Sequence, residues 1–202
     1  MEYVKKAIAG FVVLGSIIII AFAFWQQGMK YSLRTPVANG YCEALPSEEV
    51  QLSPLFENNL SYFLPSHNTA CQCPQFNARH IKSLVGNYWG SLPFISVVSE
   101  LASLKRAKIE FGHDLHYLHD KRHSVAKARG LYSAPQAAIV TSEQKPFYRS
   151  NCNRARYCTS RASNFAEVAL SALLNEQPAP AFGLSASEAY GCELTQNEIE
   201  FF

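Results

Sequence analysis

The chain predicts an α/β domain held outside the cytoplasm by one N-terminal membrane-spanning helix. Three observations carry that expectation. A nearly unbroken apolar run, Ala7–Trp25, opens the chain. Beyond it, strand-like and helix-like segments alternate and close in a hairpin and a helix. All six cysteines (Cys42, Cys71, Cys73, Cys152, Cys158, Cys192) lie past the apolar run.

Ala7–Trp25 has about the length of one bilayer crossing, which takes roughly 20 apolar residues. Lys5 and Lys6 precede it, which predicts a cytoplasmic N-terminus at 1–6, and Trp25 suits the far interface. Ala21-Phe22-Ala23 resembles a signal-peptide cleavage site. The length of the run, and the lack of a polar stretch before that site, favour an uncleaved anchor at 7–25. Residues 26–40, with Gly28, Pro36 and Gly40, read as a linker. Residues 41–202 are of ordinary size for one domain. A net charge of +2 across 202 residues, with no basic cluster interleaved with aromatics, excludes nucleic acid as an expected partner.

Within the domain, Leu60–Leu64 reads as a short apolar strand. Pro74–Val85 reads as a helix, with proline in the first position, where its missing N–H costs nothing; Phe76, His80, Ile81, Leu84 and Val85 share one face. Phe94–Ser99 is continuously apolar, as a strand covered on both sides must be. Leu101–Ala107 suggests a helical turn and Ile109–Gly112 a short strand. Asp114 is a candidate cap for a helix running to Arg129 and ending at Gly130. Gln136–Ser150 reads as a hairpin entered at Pro135, where proline is allowed. Asn164 and Glu167 have capping-box spacing for a helix to Leu174. The tail from Asn175 is rich in Pro, Ala and Ser and runs on past Gly191-Cys192.

The chemistry centres on Cys71-Gln72-Cys73-Pro74, set between the first strand and the first helix. A thiol at a helix start meets free backbone N–H groups and a partial positive charge, which favour the reactive thiolate. A second cysteine two residues away can trap the product as a disulfide or share a metal ion. A disulfide within Cys-x-Cys closes a small, strained ring that is easily reduced, which suits an oxidant or isomerase. Thiolates together with histidine suit Cu(I) or Zn(II). The candidate ligands are Cys71, Cys73, Cys152 and His116, the last taken from the set His116, His119 and His123 on one face of the expected helix. That set reads more simply as a solvated face beside Lys121 and Arg122. Cys152 and Cys158 are close enough in sequence for a local disulfide, and Cys192 can return to pair with Cys42.

The order strand, helix, strand, helix, hairpin, helix over about 58–175, the cysteine pair at the first strand-to-helix junction, and Gly130-Leu-Tyr-Ser-Ala-Pro135 together resemble the thioredoxin-like superfamily. The likeness is greatest to membrane-anchored, extracytoplasmic members of bacteria. The resemblance implies a central mixed sheet with flanking helices. It also implies a cis Pro135 lying against the cysteines and presenting backbone to an extended substrate. It further implies thiol–disulfide oxidoreductase activity without an organic cofactor, acting on protein thiols or disulfides in the periplasm from a single-pass inner-membrane anchor. Cys73 is then the attacking thiolate, Cys71 its resolving partner and Pro135 the positioning residue. This chain departs from the family's Cys-x-x-Cys, since neither Ala70 nor Pro74 restores that spacing. The copper-delivery branch is resembled only in Cys73-Pro74. A peroxiredoxin pattern fits Pro65 and Thr69 but needs cysteine where Gln72 stands. A fold that has kept its shape as a binding module and lost catalysis is the remaining alternative.

Overall fold

A computed structural model describes residues 2–29, 33–37, 60–66, 72–112, 115–154 and 163–194. Helix α1 spans Glu2–Phe24 and buries no residue. At about 1.5 Å per residue, its 23 residues span roughly 34 Å, enough for a bilayer core of about 30 Å. Its best 18-residue window has a mean hydropathy of 2.7, so the helix is long and apolar enough to cross a membrane.

The remaining elements follow in chain order: β1 Tyr62–Pro65, α2 Gln72–Tyr88, β2 Ile95–Val98, α3 Leu101–Phe111, β3 His116–His119, α4 Ser124–Ala128, β4 Ser133–Ala134, β5 Gln136–Val140, β6 Pro146–Asn151, α5 Phe165–Leu174, α6 Leu184–Ser187 and β7 Cys192–Glu193. Strand β5 lies antiparallel between β1 and β6. Strand β2 pairs in parallel with β3, and parallel bridges Phe63–Phe94 and Ser66–Val97 join β1 to β2. The spatial order is therefore β3-β2-β1-β5-β6, with β1 at the centre.

Every residue of β1, β2 and β5 is buried, which explains their unbroken apolar character. Their side chains alternate between two cores, as a strand's period of two requires. Phe63, Phe94, Val98 and Ile139 meet Ile81, Leu84 and Val85 of α2, Phe111 of α3, and Phe165, Ala169 and Leu170 of α5. Tyr62, Leu64, Ile95, Val97, Ala138 and Val140 meet Val125 of α4 and Leu131 on the other side.

Two expectations are corrected. The helix from Asp114 to Arg129 is instead a strand, a turn and a five-residue helix. Tyr117 packs on the first core and Leu118 on the second, and adjacent residues can face opposite cores only in a strand. Buried Asp120 then organises α4 by accepting hydrogen bonds from Ser124 Oγ at 3.1 Å and the Ala126 amide at 2.8 Å. Ile109–Gly112 is not a strand. It ends α3, and Gly112 closes the helix at φ 69° while its amide donates to Lys108 O at 3.0 Å. In the tail, β7 pairs antiparallel with β4. The stretch read as linker is partly docked as well. The Thr35 amide donates to Ala189 O at 2.7 Å, Arg34 bridges to Tyr190, and Thr35 is buried.

Candidate functional site

The loop carrying Pro135 leaves α4 and crosses the end of the central strand. The Ala134–Pro135 bond is cis, as the resemblance implies. The loop is fixed from three directions. From β1, Ser66 Oγ lies 2.7 Å from Ser133 O and 2.8 Å from Gln136 O, and it accepts from the Gln136 amide at 2.9 Å. From within the loop, the buried Gln136 Oε1 accepts from the amides of Tyr132 and Ser133, each at 3.0 Å. From the tail, β7 pairs Ser133 with Glu193 and Ala134 with Cys192.

Behind the loop lies a small cavity of about 10 Å³ lined by Pro65, Ser66, Asn77, Ser96, Pro135 and Cys152, among others. That is room for about one water molecule, so the apolar and polar faces here are nearly in contact. Asn77 reaches the cavity from α2. It accepts a hydrogen bond from Asn153 Nδ2, and Tyr190 Oη donates to Asn153 Oδ1. A buried polar chain thus ties the first helix, the end of the hairpin and the tail together around Pro135.

Cys152 is a free thiol, 1% exposed. Its amide donates to Pro135 O at 3.1 Å, and its carbonyl accepts from the Ala166 amide at 3.1 Å. Burial pushes its thiol up to about 12, because a thiolate here would lose its hydration without gaining a partner charge. Neighbouring Tyr148 is also pushed above the usual phenol range, first by burial and then by Cys152, while Ser150 opposes the shift. Its hydroxyl donates to Asn151 O at 2.5 Å.

The predicted site residues fall out as follows. Pro135 and Cys152 are together, as the returning hairpin suggested. Cys73 is the second residue of α2, one helical turn before Asn77. Cys71, Cys42, Cys158, Thr69 and Asp114 lie outside the described residues. The Cys152–Cys158 disulfide is corrected, since Cys152 is free. Cys192 is disulfide-bonded. His116 does not share a helical face with His119 and His123. It opens edge strand β3 opposite Ile95, while Ser66 and the Pro135 loop lie at the other end of the parallel strands, beside Val97. His116 is not among the residues that line the Cys152 cavity. Among the described residues, no cluster of three His, Cys, Asp or Glu side chains could hold a metal ion. Sequence reasoning passed over Ser66, Asn77, Gln136, Asn153 and Tyr190. Of these, only Ser66 and Gln136 carried a signal, as polar residues directly after Pro65 and Pro135 in otherwise apolar strands.

No protein-family model and no curated protein matches this chain. Its architecture is nevertheless shared with solved structures. An uncharacterised conserved protein of Geobacillus kaustophilus superposes with a TM-score of 0.59 at 20% identity, covering 69% of this chain and 79% of that one. A hypothetical protein of Sinorhizobium meliloti 1021 gives 0.59 at 19% identity, covering 83% and 96%. An exposed lipoprotein thioredoxin of Streptococcus pneumoniae gives 0.45 at 15% identity, covering 59% and 86%. The fold is thioredoxin-like, an α/β sheet with flanking helices preceded by one apolar helix.

Proposed function

We propose that the protein is a membrane-anchored, extracytoplasmic thiol–disulfide exchange protein acting through Cys71 and Cys73. The observation that carries this reading is the joint lining of one small cavity by Asn77 and Pro135. The helix whose first turn contains Cys73 is thereby packed on the proline loop. A first-turn position favours negative charge, since the helix's free N–H groups and dipole lie there. The Cys73 thiolate attacks one sulfur of a client disulfide, and the other client sulfur leaves as a thiolate and takes a proton. The Cys71 thiolate then attacks the Cys73 sulfur, the client's second sulfur leaves, and the electron pair has passed from the cysteine pair to the client. Run in reverse, the strained Cys71–Cys73 ring oxidises a client dithiol, the direction that ring strain favours. No organic cofactor enters either direction.

The location follows from charge and redox state. Lys5 and Lys6 favour a cytoplasmic N-terminus and a domain in the periplasm. The disulfide at Cys192 suits an oxidising compartment. Clients are protein thiols or disulfides in that space. The deciding experiment traps cellular thiols with acid and a maleimide and reads Cys71 and Cys73 by mass spectrometry. The reading expects both oxidised and reduced forms, and a client-linked adduct that accumulates in Cys71→Ser and vanishes in Cys73→Ser. A pair found wholly in one state, with no adduct in either variant, refutes it.

A further inference from the structure

We propose that the chain's own strand Cys192–Glu193 fills the seat of an extended protein client on the Pro135 loop and is latched there by the Cys192 disulfide. This rests on the exchange reading above. Strand β4 is only two residues long and has β7 as its paired neighbour. With β7 gone, Tyr132 O and the backbone of Ala134 become an open edge beside Pro135, the kind of edge to which an extended peptide adds as a strand. The register places Cys192 opposite Ala134, the residue before Pro135. The occupant of the seat therefore carries a cysteine where a client cysteine would have to be presented.

The fit is tight. Gly191 has φ 103°, and a Cβ there would stand 2.1 Å from Ala134 O and 3.1 Å from Pro135 Cδ; only glycine lets the tail approach this closely. Two further bonds hold the strap, from the Leu194 amide to Tyr132 O at 2.9 Å and from Ser133 Oγ to Tyr190 O at 3.3 Å. The strap's preceding residues are tied to the segment that follows the membrane helix, through the Thr35–Ala189 bond at 2.7 Å and the Arg34–Glu188 ion pair at 3.2 Å.

A two-residue pairing is small, and a tether that keeps the strand at high local concentration is what makes it persist. The Cys192 disulfide supplies such a tether, and Cys192 is partly exposed, within reach of a dithiol. A protein or small-molecule dithiol gives up two electrons and two protons. The Cys192 S–S bond breaks, Cys192 and its partner become thiols, and the dithiol becomes a disulfide. The strap then leaves the loop, and a client strand can take its place.

The test is amide hydrogen exchange, read by mass spectrometry on the full chain in detergent, over residues 131–135 and 136–140. Oxidised wild type should protect 131–135. Reduction with dithiothreitol should speed exchange there at least tenfold. Cys192→Ser should match that rate without reductant and show no further response to it. Gly191→Ala should open the loop with the disulfide intact. Hairpin residues 136–140 should stay protected throughout; if Cys192→Ser fails this check, Gly191→Ala decides. An extended cysteine-bearing peptide added to the opened chain should restore protection at 131–135. Equal protection of 131–135 in reduced wild type and in Gly191→Ala overturns the proposal, as does a peptide that leaves the opened loop unprotected. Failure of the exchange reading looks different: Cys71 and Cys73 stay in one redox state whether the strap is open or closed.

Discussion

Cys152 is a buried free thiol whose amide donates to Pro135 O, and its burial predicts that it does no chemistry. Its pKa rises from an ordinary 9.0 to about 12. At pH 8 its thiolate is then about a thousandfold scarcer than that of an ordinary thiol. At 1% exposure, reagents reach it only when the structure opens. Alkylation of the native chain with iodoacetamide at pH 8, read by mass spectrometry at each cysteine, should therefore label Cys152 at least a thousandfold more slowly than in the urea-unfolded chain. The same shift fixes a pH dependence. Because the folded pKa is raised, the stability it contributes is complete below about pH 9. It is lost as pH rises toward 12, where the unfolded chain already holds the thiolate. Between pH 8 and 11 that loss is about 2.5 kcal/mol, and it should be absent from the pH profile of Cys152→Ala. Labelling of native Cys152 within tenfold of the unfolded rate would refute the reasoning. Cys152 would then return as a candidate partner in exchange.

Three further outcomes are expected. Ser66→Ala removes the hydroxyl that braces Ser133 and Gln136; it should cost about 1–3 kcal/mol, measured by thermal unfolding, and loosen hydrogen exchange at 131–136 more than at 95–98. Burial holds the His80 pKa below its usual value against the opposing pull of Glu167, so its contribution is present above about pH 6.5 and lost as pH falls through the lowered folded value. His80→Gln should accordingly lose less stability than wild type between pH 7 and 5. Leu84→Ala, at a fully buried position of α2, should cost about 2–5 kcal/mol in the same unfolding assay, with no change in the exposure of Cys192 to reductants.

The parts of the fold legible in sequence were those whose signal is local. The apolar run of α1, the buried strands β1, β2 and β5, and the hairpin after Pro135 all announce themselves by composition and punctuation. The stretch from His116 to His123 did not, because its histidines happen to recur at a helical interval. What decides it is tertiary: Tyr117 and Leu118 are needed by cores on opposite faces of the sheet, and only an edge strand serves both. The β4–β7 pairing was illegible for the same reason, since two-residue strands have no period. Asn77 was hidden for a different one. A polar residue on an otherwise apolar helix face looks like an exposed edge until Asn153, which is 76 residues away, is known to meet it.

The start of α2 changes how the cysteine pair must be read. The sequence places the helix's first turn at Pro74, which leaves both cysteines ahead of it. The helix instead begins at Gln72, so Cys73 lies inside the first turn and Cys71 immediately precedes it in the chain. Pro74 contributes no N–H to that turn, so fewer unpaired backbone donors remain there to compete for a sulfur's negative charge. Cys73 therefore lies in the helix-terminal field, which falls off within a turn. That field is one part of what surrounds it. The other parts of the fold brought to that end of the sheet are the Pro135 loop, braced by Ser66 and Gln136, and the tail strand that covers it.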